Sequence, residues 1–141
     1  MTASEPELVV SLPIDDRRRS AVFYREFLGA EPEGPLADDG LPEPLQFRLD
    51  THTTLMLIPR GGFDWVLGDR EAAPPGTSEC LLSRSVADER LVDVAMEHVR
   101  HGGGDVVTEP AHQSWGYTAT CADPDGHLWQ VLGVPPRGST G

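Results

Sequence analysis

Five histidines, two cysteines and 23 acidic residues are the groups in this chain that could do chemistry, and none forms a reactive pattern. Nucleophilic catalysis needs a nucleophile, a base within reach and a group that orients the base. No Ser-His-Asp order and no strand–turn–helix elbow around a serine is present. All 11 basic residues are Arg and Lys is absent, which excludes Schiff-base and lysine-nucleophile mechanisms. His98 and His101 would share one face of a predicted helix, but at its end, where they read as solvated side chains. His52 reads as a turn residue, His112 lies in a loop and His127 opens a strand. Cys80 and Cys121 form no CxxC and read as reduced strand cysteines rather than a disulfide. The run Gly102, Gly103, Gly104 follows a helix, so it lacks the strand-then-helix context of a phosphate loop.

The remaining chemistry is recognition of flat or apolar molecules. Trp115 offers a ring face for stacking and for cations. Phe63 and Trp65 stand in a stretch rich in Gly and Pro, where large aromatics imply a ligand or core to cover, and Trp65 reads as a lid or a dimer contact. Trp129 reads as core.

The elements that must position these residues form a plan that occurs twice. Leu8–Ile14 reads as a strand, Asp15 or Asp16 as a helix cap, and Arg17–Leu28 as a helix with Ser20, Phe23, Tyr24 and Phe27 on one side. Gly29 ends it. A loop over 31–44, with room for a short irregular strand, leads to strands at 45–49 and 54–58. Residues 60–77 hold four Gly, two adjacent Pro and little periodicity, and read as a linker loop. The second half starts with a strand over 80–86. Asp88 caps a helix over 89–101, whose apolar stripe is Val92, Ala95, Met96 and Val99. A short strand over 105–108 and a hairpin over 115–132 follow. The hairpin turns at Asp123-Pro-Asp-Gly126, where Pro presets φ, Asp bonds the local backbone and Gly accepts positive φ.

The expected fold class is therefore α+β: two tandem βαβββ modules in one domain over 1–141. The modules span 7–59 and 78–134, and a mobile tail covers 135–141. A length of 141 residues suits one domain, and no apolar run approaches the ~20 residues of a membrane span. The acidic start, without a basic–apolar leader pattern, gives a cytoplasmic location as the expectation. A net charge of −12 argues against nucleic acid and anionic membranes, and suits a cationic small molecule.

Asp16, Ser20, Phe23-Tyr24 and Leu28-Gly29 are similar to the pattern D-x-x-x-S-x-x-F-Y-x-x-x-L-G of the vicinal-oxygen-chelate superfamily. That superfamily holds glyoxalases, extradiol dioxygenases and bleomycin-resistance proteins. Pro110, Trp115-Gly116 and Asp123-Pro-Asp-Gly-His-Leu-Trp129 most resemble its bleomycin-resistance branch. The resemblance implies a curved mixed sheet around a cavity, completed in a homodimer with two equivalent ligand sites. It also implies four strand positions that hold metal ligands in metal-dependent members: Val9, Met56, Leu81 (or Cys80 if the register slips by one) and Gln130. None is His, Asp or Glu. The expected protein is therefore metal-free, without a cofactor, and not an enzyme. It would sequester a hydrophobic or aromatic antibiotic, neutral or cationic. The residues expected to line its cavity are Trp115, Trp65, Met56, Tyr117, Phe47, Gln130, Phe63 and Leu128. The competing expectation is a lyase, isomerase or dioxygenase of the same fold, with ligands from His52, Glu79, His112 or His127. Glu43, Asp50, Asp64 and Glu79 are further candidates for negative charge near the ligand. Arg84, if it faces inward, would be a buried charge needing a partner.

Overall fold

Asp16 and Asp88 start the two long helices in the same way. Each has an extended backbone, and its carboxylate accepts a hydrogen bond from the N–H three residues on, at Arg19 and Leu91 respectively. This satisfies one of the N–H groups that a helix start leaves without a partner. The computed structural model describes residues 7–133; the first six residues and the tail expected to be mobile lie outside the described residues. The chain separates into two compact units, Met1–Ala72 and Ala73–Gly141, dividing inside the stretch expected to be a linker.

The first unit runs β1 (Leu8–Ile14), α1 (Arg17–Leu28), β2 (Leu45–Asp50), β3 (Thr53–Pro59) and α2 (Arg60–Leu67). Its sheet has the order β1-β3-β2, with β1 parallel and β2 antiparallel to β3. The α1 stripe packs Phe23, Tyr24 and Phe27 against Ile14, Leu45, Phe47, Leu55 and Leu57, all buried. Tyr24 and Phe47 ring centroids are 5.9 Å apart. Gly29 ends α1 at φ 66, a conformation that costs a side-chain-bearing residue about 1 kcal/mol or more. The expected third strand of this module is reduced to a bridge between Leu36 and Pro42, plus the bond from Glu33 N–H to the Gln46 carbonyl. Three prolines within 35–44 lack the N–H groups a ladder requires.

Residues 60–67, expected to be loop, form α2 instead. Gly61 and Gly62 weaken intrinsic helix propensity, which masks the helix in the sequence. Tertiary packing overrides that weakness: α2 lies against β1 and β3, Phe63 and Leu67 are half-buried one turn apart, and Arg60 pairs with Asp15 at 2.6 Å.

The second unit runs β4 (Leu81–Val86), α3 (Glu89–His101), β5 (Asp105–Gln113), β6 (Gly116–Ala122) and β7 (Leu128–Gly133), with sheet order β4-β7-β6-β5. This is a complete βαβββ module. Its core joins Val92, Ala95, Met96 and Val99 of α3 to Ala119, Cys121, Trp129 and Val131. Gly133 permits the close approach of α3 to β7, since a Cβ there would meet Asp88 backbone at 3.3 Å and Val92 at 3.2 Å. The fold class is α+β as expected, with two mixed sheets of three and four strands. Among the described residues no helix is long and apolar enough to cross a membrane.

Candidate functional site

Strand alternation divides each sheet into a helix-covered face and an open face. In the first unit, Leu55 and Leu57 of β3 face α1. Thr54, Met56 and Ile58 therefore take the face away from α1, beside Val9, Ser11 and Pro13 of β1 and Gln46 and Arg48 of β2; this face is open except at Ile58, where Gly62 of α2 lies close. In the second unit, Trp129 and Val131 of β7 face α3. Leu128, Gln130 and Leu132 take the open face, beside Leu81, Ser83 and Ser85 of β4 and Thr118, Thr120 and Ala122 of β6.

All four expected metal-ligand positions, Val9, Met56, Leu81 and Gln130, thus lie on the open face of their own sheet. The implied ion can be tested against this donor set. Val9 and Leu81 offer carbon alone, Met56 a thioether and Gln130 one amide oxygen. Hard and borderline divalent ions are held by several carboxylate, imidazole or thiolate donors, so the set does not fit such an ion. Within neither unit do three His, Cys, Asp or Glu side chains gather among the described residues. Cys80 is exposed just ahead of β4.

Two of the residues expected to line the cavity lie elsewhere. Phe47 is fully buried against Tyr24, because its position in β2 pairs with Leu55 on the α1 side. Tyr117 has the α3-facing parity of β6, shared with Ala119 and Cys121. Its hydroxyl donates to Asp93 Oδ1 of α3 at 2.7 Å, and its ring lies 4.8 Å from that of His112. The Asp93 carboxylate beside it raises the Tyr117 pKa. Alternation in the sequence groups Tyr117 with Ala119 and Cys121 but does not say which face of β6 the helix covers.

Trp115 closes the two-residue turn between β5 and β6 and is 60% exposed. Gly116, at φ 140, follows it. A Cβ there would meet Leu132 Cδ1 at 2.8 Å, so the turn borders the open-face row of β7. Phe63 and Trp65 lie on α2, half-buried and 83% exposed respectively. The Asp123–Gly126 turn is built as its residues predict. Asp123 is buried, and its Oδ1 accepts from the Asp125 and His127 N–H groups, both at 2.9 Å. Gly126 has φ 91. Arg84 pairs in register with Val131 and so takes the α3 side, where burial lowers its pKa.

A polar recess of about 290 Å³ opens on the first sheet, lined by Glu7, Val9, Glu33, Gly34, Gln46, Arg48 and Thr54. Glu7 Oε1 accepts from Thr54 Oγ1 at 2.6 Å and from Arg48 Nη1 at 3.1 Å. The Thr54 hydroxyl, with Arg48 behind it, holds the Glu7 carboxyl below its ordinary pKa. Arg48 Nε lies 3.5 Å from Glu33 Oε2. None of these charged residues was singled out from the sequence. Glu7 and Arg48 were legible by parity with Val9 and Gln46. Glu33 was not, because it reaches the sheet from irregular chain. Two of the acidic residues proposed for that role are used in other contacts: Glu43 pairs with Arg17, and Asp50 accepts from His52 N–H in the β2–β3 turn.

The model of the Glyoxalase/Bleomycin resistance protein/Dioxygenase superfamily matches residues 8–131. No protein of curated function matches the chain. A glyoxalase-related enzyme from Fulvimarina pelagi shares 26% identity over 98% of this chain and 96% of its own, with TM-score 0.79. A hypothetical protein from S. aureus shares 24% identity over 94% and 96%, with TM-score 0.75. A glyoxalase/bleomycin resistance protein/dioxygenase family enzyme from Burkholderia phytofirmans shares 13% over 93% and 100%, with TM-score 0.71. The latter two likenesses are of fold.

Proposed function

The chain belongs to the Glyoxalase/Bleomycin resistance protein/Dioxygenase superfamily, and on that premise we propose that it binds a small molecule without a divalent metal and without chemistry on it. The fold hosts several activities, so the reading rests on the site. The observation that carries it is the uncharged set Val9, Met56, Leu81 and Gln130 on the open sheet faces, at the positions where the resemblance puts metal ligands. On the first sheet Ser11 and Pro13 stand beside Val9 and Met56, and on the second Thr118, Thr120, Leu128 and Leu132 stand beside Leu81 and Gln130. Each face is mainly apolar with a few hydroxyls, and the second adds an amide, the composition of a small-molecule wall. Trp115, at the margin of the second face, adds a stacking surface.

The ligand class is a hydrophobic or aromatic antibiotic, and the benefit to the cell is sequestration, which needs tight binding and no bond-making. The protein works in the cytoplasm as a homodimer with two equivalent sites. Expression in a sensitive host tests this against a panel of bleomycin-type and polycyclic aromatic antibiotics. Tolerance to at least one should rise, and Trp115→Ala should reduce the gain. A panel without a responder counts against sequestration.

A further inference from the structure

We propose that the recess on the first sheet holds the positively charged end of the ligand, an ammonium or amidinium group, between Glu7 and Glu33. This rests on the binding reading above and gives it a charge preference at named residues. The recess combines a concave space of about 290 Å³ with two carboxylates and one guanidinium, so its wall carries net negative charge. Arg48 bridges the carboxylates through Glu7 Oε1 and Glu33 Oε2, which fixes both at the rim. Among the described residues, Glu7 Oε2 and Glu33 Oε1 accept no hydrogen bond. Both side chains are partly exposed, so these two oxygens are open to a donor from a ligand, and a cationic head carries donors without acceptors. The floor is Val9, with Gln46 beside it. Val9 lies on the same open face as Ser11 and Met56, so an apolar body attached to the head would continue along the sheet. The overall charge of −12 favours the approach of a cation over an anion at Arg48.

Two planar probes of nearly equal shape separate charge from stacking: 9-aminoacridine, a cation at neutral pH, and acridine, neutral there. The wild-type chain should bind the cation about tenfold more tightly, and the double variant Glu7→Gln/Glu33→Gln should bring the ratio close to one. The single variants Glu7→Gln and Glu33→Gln should each lower the ratio about threefold, which keeps the test open if the double variant folds poorly. Equal binding of both probes by the wild type, or a preference that survives the substitutions, would overturn the subsite and leave sequestration standing. Binding of neither probe would overturn the subsite as a general cation site and leave sequestration to the antibiotic panel.

Discussion

Gln130 lies directly across the β6–β7 ladder from Thr120, on the face of the second sheet that α3 leaves open. Its strand neighbours Trp129 and Val131 are buried on the other face. A side chain of this type in this place can fix a ligand by one or two hydrogen bonds, but as a lone amide it would not hold a divalent ion.

Trp115 and Trp129 make a contrasting pair. Trp129 is 3% exposed, and Trp129→Ala should cost about 3–5 kcal/mol of stability in denaturant unfolding. Trp115 is 60% exposed, and Trp115→Phe should change stability by less than about 0.5 kcal/mol. The ligand-induced change in tryptophan emission should disappear in the Phe variant alone.

Tyr117→Phe tests the face assignment of β6. Losing the bond to Asp93 at this exposed position should cost about 1 kcal/mol or less. Ligand affinity should stay within about twofold, because Tyr117 faces α3. A tenfold loss of affinity, read by titration, would return Tyr117 to the cavity.

Gly116→Ala should destabilise the β5–β6 hairpin by about 1–3 kcal/mol, since φ 140 is strained for an L side chain and the new Cβ would press on Leu132 at 2.8 Å. Thermal unfolding reads the effect, and a neutral result would mean that the turn relaxes freely.

Asp39 gives a pH dependence with a defined sign. The Arg17 guanidinium and the Leu41 N–H lower its pKa from 3.8 to about 2. Because the folded value is the lower one, the contribution is full above 3.8 and is lost as pH falls through about 2. The stability difference between wild type and Asp39→Asn, from urea midpoints, should therefore shrink across that window. A difference that is flat or grows toward acid would contradict the Arg17–Asp39 pairing.

The sequence carried most of this fold because its signals were local and consistent. Asp16, Asp88 and Gly29 cap helices as expected, and Asp123 builds its turn with backbone N–H groups of its own neighbours. Helix α2 escaped notice because Gly61 and Gly62 hide a helix whose stability comes from β1 and β3. Strand parity sets Gln130 on one face with Leu128 and Met56 on one face with Thr54. It did not say which face of β6 was open, and Tyr117 was misplaced for that reason. The recess needed Glu33, brought to Gln46 by a backbone bond across an irregular loop that no periodicity encodes.

The central claim is ligand binding without a metal, and one paired titration tests it most directly. Tryptophan emission is followed against the antibiotic panel on one preparation, once in EDTA and once with added Zn²⁺, Ni²⁺, Mn²⁺ or Fe²⁺, with metal content read by elemental analysis. The account predicts at least one saturating ligand with the same midpoint in both arms, recovered chemically unchanged, and far less than one ion per chain. One tightly held ion per chain, with binding or turnover that vanishes in EDTA, would contradict it.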